Sequence, residues 1–340
     1  MRKLLNTLYV TRPDVYVARE GENLVLRAEG EELARRPIHI LEGVVMLGYV
    51  GMSPGAMRLC CERGVGVSFL TPEGRFCARL EGAVRGNVLL RRRQYRLADD
   101  RAEALPVARN MILAKISNGR KVMLRALRDY DTTPGLEKAV GRLARSLEEA
   151  RVTLDHDGLR GVEGEAARSY FAAFDDLIRR DKSHFNFADR NRRPPRDPVN
   201  ALLSFAYSLI AHEVESALEA VGLDPCVGFF HRDRPGRPSL ALDMMEELRP
   251  YLGDRFVLTL INRGQVRFED FEMKPSGSVL LKEEARRDFL TAWQKRKQDE
   301  VEHPYLHERM EVGLIPFVQA MLMARFLRGD LEAYPPFLMT

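Results

Sequence analysis

The chain has 340 residues, 45% hydrophobic and 30% charged, with a formal net charge of +4. This describes a soluble globular protein with room for a substantial core and two domains, and no apolar run is long enough to span a bilayer. Its four cysteines, Cys60, Cys61, Cys77 and Cys226, form no CxxC pair, which excludes a zinc knuckle or disulfide framework and points to a reducing cytoplasm.

The opening MRKLLNTLYVTRPDV has too short an apolar core for a signal peptide. Residues 1–82 read as a β-rich domain. LLNTLYV, DVYVAR, NLVLRA, PIHIL and VVMLGYV are short, partly alternating and rich in β-formers. Glu20-Gly21-Glu22 and Ala28-Glu29-Gly30 supply turns. One helix interrupts, capped by Ser53 with Pro54 at its first position, and runs to about Arg63. GVSFL and RFCARL form a last hairpin across Thr71-Pro72-Glu73-Gly74. His39 reads as a strand residue, and the module as a platform or dimer interface. Gly82–Gly86 is the expected linker.

Residues 83–340 read as a larger all-α domain, giving an α+β chain. NVLLRRRQYRLADD, PVARNMILAKISNGRKVMLRAL and GLEKAVGRLARSLEEA carry helical periodicity. Arg91, Arg92, Arg93 and Arg96 make a basic run, for which a solvated face is the plainer reading. In LRGVEGEAARSYFAAFDDLIR, Glu163 is followed by small residues that allow close approach, and Tyr170 falls two turns later on nearly the same face. KSHFNFADRNRRPPRD is a loop where Phe185 and Phe187 precede Arg190, Arg192, Arg193 and Arg196, a mixture that suits nucleic acid and equally a disordered surface loop. Asp197 and Pro198 start a central helix in which Asn200 and Ser204 need partners if buried. PYLGDRFVLTLINRG is a further amphipathic helix. A hairpin or irregular piece then leads to a helix ending in WQKRK, with Lys282 adding positive charge. VEHPYLHERMEVGLIPFVQAMLMARFLRG closes the domain as helix, with His303 and His307 at its surface.

The stretch HRDRPGRPSLALDMMEELRP organises the rest. His231 sits on an irregular basic segment, Ser239 is the expected N-cap, and Asp243 and Glu246 share a face beside an apolar stripe. A histidine with carboxylates near a core suits a divalent cation such as Mn²⁺ or Mg²⁺. Spacing alone favours the plainer alternative, a surface helix with solvated acids.

VEGEAARSYF, RDPVNALLSFAYSL and the His231–Pro250 segment, in that order, resemble the CRISPR-associated integrase of spacer acquisition, the first of the two universal adaptation proteins, in its type I-C form. The resemblance covers essentially the whole chain. It implies one divalent ion, Mg²⁺ or Mn²⁺, held by Glu163, His231 and Glu246. Asp243 is implied as an orienting neighbour, and the choice between Asp243 and Glu246 as third ligand stays open. Tyr170 and Asn200 are expected to support the site. Arg91, Arg92, Arg190, Arg192, Arg193 and Lys282 are expected to contact DNA. The implied reaction is attack of a fragment's 3′-hydroxyl on a repeat phosphodiester, with hydrolysis as the nuclease variant. The implied partners are double-stranded DNA, a second copy of the chain, and the second adaptation protein in a heterohexamer, with no membrane. Two other readings remain: a non-catalytic DNA-binding scaffold with a degenerate site, and an all-α metalloenzyme acting on a small phosphorylated substrate. The latter lacks both GxxxxGK[ST] and GxGxxG.

Overall fold

The computed structural model describes residues 7–41, 43–48, 50–71, 76–80, 88–130, 133–192 and 194–339. The chain divides into two compact units. One comprises Met1–Arg85, Lys282–Asp299 and Glu311–Leu314; the other comprises Gly86–Leu281, Glu300–Met310 and Ile315–Thr340. A β-rich start followed by a helical region is the expected α+β arrangement.

The first unit begins with β1 (Thr7–Val10), β2 (Tyr16–Glu20), β3 (Asn23–Ala28), β4 (Glu31–Pro37), β5 (Gly43–Leu47) and β6 (Gly51–Met52). It continues with α1 (Pro54–Arg63), β7 (Gly66–Leu70) and β8 (Phe76–Leu80). One sheet has the order β1-β5-β7-β8, the other β4-β3-β2-β6. β1, β5 and β7 pair in parallel, and β8 returns antiparallel to β7 as the expected hairpin. Val17, Leu24, Val44, Met46, Leu59 and Val67 lie in one apolar core. α1 starts as its sequence dictates: the Ser53 hydroxyl accepts from Ala56 N–H, and Gly64 ends the helix at φ 68°, a left-handed conformation that favours glycine.

The strand expected at PIHIL is instead a 3-10 turn, Ile38–Ile40, with Ile38 buried and His39 exposed. The strand is the preceding EELARRP, at a sheet edge. Its charged side chains suit an edge, where they remain hydrated; Arg35 pairs with Glu20 at 2.5 Å and Glu32 at 2.8 Å. The expected turn at Pro72-Glu73-Gly74, the linker Gly82–Gly86 and the 82/83 boundary lie outside the described residues.

The second unit opens with α2 (Val88–Asp99), α3 (Arg101–Asp129), α4 (Pro134–Val152) and α5 (His156–Ala172). Then follow α6 (Pro198–Ala220), α7 (Ser239–Leu248), α8 (Arg255–Asn262) and the hairpin β9 (Phe271–Met273)–β10 (Val279–Leu281). α9 (Glu283–Lys297) is grouped with the first unit. The hairpin β11 (Glu300–Glu302)–β12 (Arg309–Glu311) precedes α10 (Ile315–Arg328). Asp100, Thr133, Asp155 and Asp197 cap α3, α4, α5 and α6 with their side chains. α3 packs against α4, α5 and α7, while α6 packs against α7 and α10. No helix among the described residues is long and apolar enough to cross a membrane.

Two further expectations are corrected. Ser239 is the first helical residue rather than the cap, and its hydroxyl donates to the Arg232 carbonyl at 3.2 Å. The span 300–311 is a hairpin rather than helix, and His303 is buried, 2.9 Å from Gln319 Oε1, while His307 is exposed.

Candidate metal-binding active site

The second unit contains a cavity of about 880 Å³ lined from α3, α4, α5, α6 and α7 and by residues just before α6, before α7 and after α7. α3, α5 and α7 each bring a charged group to it. On α3 the buried positions Met111, Ile112 and Ile116 define a core-facing stripe, and Lys115 interrupts it with a charge. α5 supplies Glu163, and α7 supplies Glu246. Lys115 lies between the two carboxylates: its ammonium pairs with Glu163 and is 2.7 Å from Glu246 Oε2. Arg249 Nη1 closes on Glu246 Oε1 at 3.0 Å. Burial alone would raise the Glu246 carboxyl, but the charges of Arg249 and Lys115 outweigh it and hold its pKa at about 2.

His231 enters from a segment without regular structure, so its position depends on other contacts. Asp243, fully buried on α7, provides them. Its Oδ2 accepts from Phe229 N–H at 2.6 Å and Phe230 N–H at 2.8 Å. Its Oδ1 accepts from His231 N–H at 2.8 Å and lies 2.6 Å from His231 Nδ1. Donation from Nδ1 to the carboxylate fixes the tautomer that leaves the Nε2 lone pair free. Gly228 makes this approach feasible, because a Cβ there would lie 2.6 Å from Asp243 Oδ2. All four oxygen contacts of Asp243 are thus spent on the segment that carries His231.

Beyond Leu248 the backbone widens into a π-helical stretch, Arg249–Asp254. Asp254 is buried and accepts from the hydroxyls of Tyr170, at 2.9 Å, and Tyr207. Burial pushes its carboxyl up to about 6. The Arg249 guanidinium lies 5.0 Å from the Tyr207 ring centroid and that of Arg190 lies 5.3 Å from it.

Glu163, His231, Glu246 and Tyr170 therefore all line one cavity, with Asp243 directly behind His231. Among the described residues, no three His, Cys, Asp or Glu side chains are gathered closely enough to ligate one ion as they stand. Asn200 does not line the cavity. It is buried, its Oδ1 accepting from Arg190 Nη1 at 2.6 Å and its Nδ2 donating to Asp189 O at 2.8 Å. It pins the basic loop to α6. Arg190 is correspondingly turned inward, also donating to Ser204 Oγ at 3.1 Å, so it organises the loop rather than projecting from it. Arg192 is exposed at the cavity, and Arg193 lies outside the described residues. Arg91 donates to Gly222 O at 3.1 Å, Arg92 is exposed, and Lys282 is exposed in the first unit. Sequence reasoning missed Lys115, Arg249 and Asp254; the available signal was a charge within an apolar helical stripe.

The family model for CRISPR associated protein Cas1 matches residues 8–295. A CRISPR-associated endonuclease Cas1 of Chlorobaculum tepidum is 49% identical over 340 residues, covering 99% of each chain. Another, from Rhodospirillum rubrum, is 51% identical over 343 residues, again covering 99% of each. Among solved structures, a CAS1 protein from Thermotoga maritima superimposes with a TM-score of 0.83 at 20% identity, covering 98% of this chain and 100% of that one. The corresponding chain of a Cas6-RT-Cas1–Cas2 complex gives 0.83 at 21%, covering 99% of this chain and 36% of that one. A casposase bound to integration product gives 0.81 at 22%, covering 97% and 93%. With a family match that spans most of its length and full-length relatives near half identity, the chain belongs to the Cas1 family of CRISPR-associated proteins.

Proposed function

We propose that this Cas1-family chain is a divalent-metal-dependent DNA endonuclease and integrase that inserts short DNA fragments into a CRISPR array. The observation that carries the reading is the convergence of Glu163 and Glu246 on one positive charge, that of Lys115, beside a histidine oriented by a buried aspartate. Two carboxylates sharing a cation, with an imidazole beside them, form a donor set that fits Mg²⁺ or Mn²⁺. Glu163, Glu246 and Nε2 of His231 would hold the ion; Asp243, its oxygens already committed to the His231 segment, orients rather than ligates. The bound ion supplies Lewis acidity to a phosphodiester and charge for the oxygens that develop it. The endonuclease names of the half-identical relatives and the integration product in the casposase structure support the same chemistry.

In the proposed reaction a fragment's 3′-hydroxyl attacks a phosphorus at the edge of a repeat. One P–O bond forms and one breaks, so the number of phosphodiesters is conserved, and the proton lost by the nucleophile is balanced by one gained at the leaving 3′ oxygen. Water in place of the hydroxyl gives strand cleavage. Lys115 and Arg249, already facing the carboxylates, are placed to hold phosphoryl oxygens. Arg192, Arg234 and Arg237 line the same cavity and grip backbone phosphates, which gives affinity without sequence information. Double-stranded DNA, a second copy of the chain and the second adaptation protein, Cas2, are the proposed partners, assembled as a heterohexamer.

The test is joining of a labelled short duplex to a repeat-containing plasmid, with and without Mn²⁺, and with and without the partner. Glu163→Ala, His231→Ala and Glu246→Ala each reduce joining at least about 100-fold while DNA binding remains. Joining that proceeds at the wild-type rate in any of them removes that residue from the site. The rival scaffold reading draws on the Lys115 bridge, which closes the carboxylates on the protein itself; metal-independent behaviour throughout would favour it.

A further inference from the structure

The Phe229-Phe230-His231 segment belongs to no helix or strand, so no backbone ladder holds it. Its polar backbone groups are instead shared between two helices. The three N–H groups go to Asp243 on α7. The carbonyls of Phe229 and Phe230 go to α5: His156 Nε2 lies 2.9 Å from Phe229 O, and Arg160 Nη2 donates to Phe230 O at 3.1 Å. The Arg160 guanidinium also lies 5.7 Å from the centroid of the Phe230 ring. His156 is buried, and both phenylalanines are buried.

His156 and Arg160 precede Glu163 by seven and three residues, so all three lie along one side of α5. The helix that carries Glu163 therefore grips the carbonyl side of the histidine segment. The helix that carries Glu246 grips its N–H side. Asp243, with the Ser239 hydroxyl on Arg232 O, fixes the His231 segment relative to α7 and Glu246. The His156 and Arg160 contacts, beside an exposed Arg232–Asp157 pair at 3.3 Å, hold the same segment to α5 and so bear on the separation of His231 from Glu163.

Resting on the metal-site reading above, we infer that His156 and Arg160 are positioning residues: they set the spacing between Glu163 and His231 and so preorganise the cation site. Neither side chain lines the cavity that holds Glu163, His231 and Glu246. Preorganisation of this kind acts on affinity, because a looser ligand pair must be ordered when the ion binds.

The experiment is titration of the purified full chain with Mn²⁺, reading free Mn²⁺ by electron paramagnetic resonance, alongside the metal-free melting temperature. His156→Leu and Arg160→Ala are each expected to weaken Mn²⁺ binding about tenfold or more. His156→Gln, whose amide N–H can still reach the Phe229 carbonyl, restores most of the affinity, which a purely structural role for the imidazole would not produce. In joining assays the Mn²⁺ concentration giving half-maximal rate rises, while the rate at saturating Mn²⁺ changes little. Arg160 is only half-buried, so Arg160→Ala carries the test if His156→Leu does not fold. Mn²⁺ binding that depends on Glu163 but is undiminished in the folded variants overturns the bracing inference alone. Mn²⁺ binding no weaker in Glu163→Ala than in wild type overturns the metal site and the inference with it.

Discussion

Residues 7–80 and the helical second unit treat charge in opposite ways. Among the described residues of 7–80, Ser68 is the one polar side chain in the buried set; the rest are apolar. Charges there pair in the open, as in Arg58–Glu62 and Arg63–Glu22. The second unit buries Asp243, Glu246, Glu247 and Asp254, together with Asn118 and Asn200. Burying a carboxylate costs several kcal/mol unless partners replace its water, so each such group has to be accounted for individually. Glu246 has Lys115 and Arg249, Asp243 has three backbone N–H groups and an imidazole, and Asp254 has two tyrosines. Apolar patterning suffices to build sheets. A concentration of paired buried charge marks where the fold has accepted a cost for the sake of chemistry.

The comparison breaks most visibly at Asp243. The family resemblance implies a neighbouring acid that orients the set, whose loss is expected to be weaker than that of a ligand. The structure makes it the anchor of the whole His231 segment. Asp243→Ala leaves three backbone donors without their acceptor in a buried place, and is expected to cost about 3–5 kcal/mol in urea unfolding. Joining activity falls as far as in His231→Ala. Asp243→Asn, which keeps one acceptor oxygen, falls between. An Asp243→Ala protein with wild-type stability would mean that the segment is held by α5 alone.

How much of this was legible follows the same division. The strands at DVYVAR, NLVLRA and GVSFL, and the capped start of α1, are written in alternation and local chemistry that need no tertiary information. β4 was missed because an edge strand carries charges such as Glu31, Glu32, Arg35 and Arg36, and so lacks the apolar signal. In the helical unit, the family resemblance supplied Glu163, His231 and Glu246, which periodicity alone could not bring together. The roles of Lys115, Arg249, His156 and Arg160 come from contacts between helices far apart in sequence, and local patterns do not encode such contacts. Arg190 and Asn200 illustrate the converse: a basic residue in a loop looked like a surface for DNA, yet its guanidinium is consumed by the helix that follows.

Glu247 sharpens the comparison through pH. It follows Glu246 on α7, but Tyr334 and Gln319 donate to its Oε1 at 2.7 and 2.8 Å, and among the described residues no positive charge joins them. Its Oε2 is buried and makes no hydrogen bond among the described residues. Burial raises the carboxyl from 4.5 to about 8. The folded protein therefore binds a proton that the unfolded chain releases above about 4.5, so this group's contribution to stability declines as pH rises from about 4.5 to about 8 and is constant beyond. Glu246, held at about 2, acts in the other sense: its contribution is present above 4.5 and is lost as pH falls toward 2. Glu247→Gln mimics the protonated form. Its melting temperature is expected to exceed that of wild type increasingly from pH 6 to pH 8 and to converge with it near pH 4.5. Parallel melting curves across this range would show that Glu247 does not titrate there.

The smallest expected effect lies in the β-rich unit, at Arg35. This residue makes more ion pairs than most, reaching Glu20 at 2.5 Å and Glu32 at 2.8 Å. Counting contacts would make it a keystone of β4. Exposure argues otherwise: its side chain is 42% accessible, with Glu20 and Glu32 at 38% and 39%. Water already solvates these groups, salt screens them, and holding long side chains in one geometry costs entropy. Arg35→Gln should leave the melting temperature unchanged within error at physiological salt, with at most a small drop in very low salt. Joining activity should be unaffected as well. A clear loss of stability at physiological salt would mean that β4 is covered in solution, by another copy of the chain or by a partner, and that its charges are buried there as those of the cavity are.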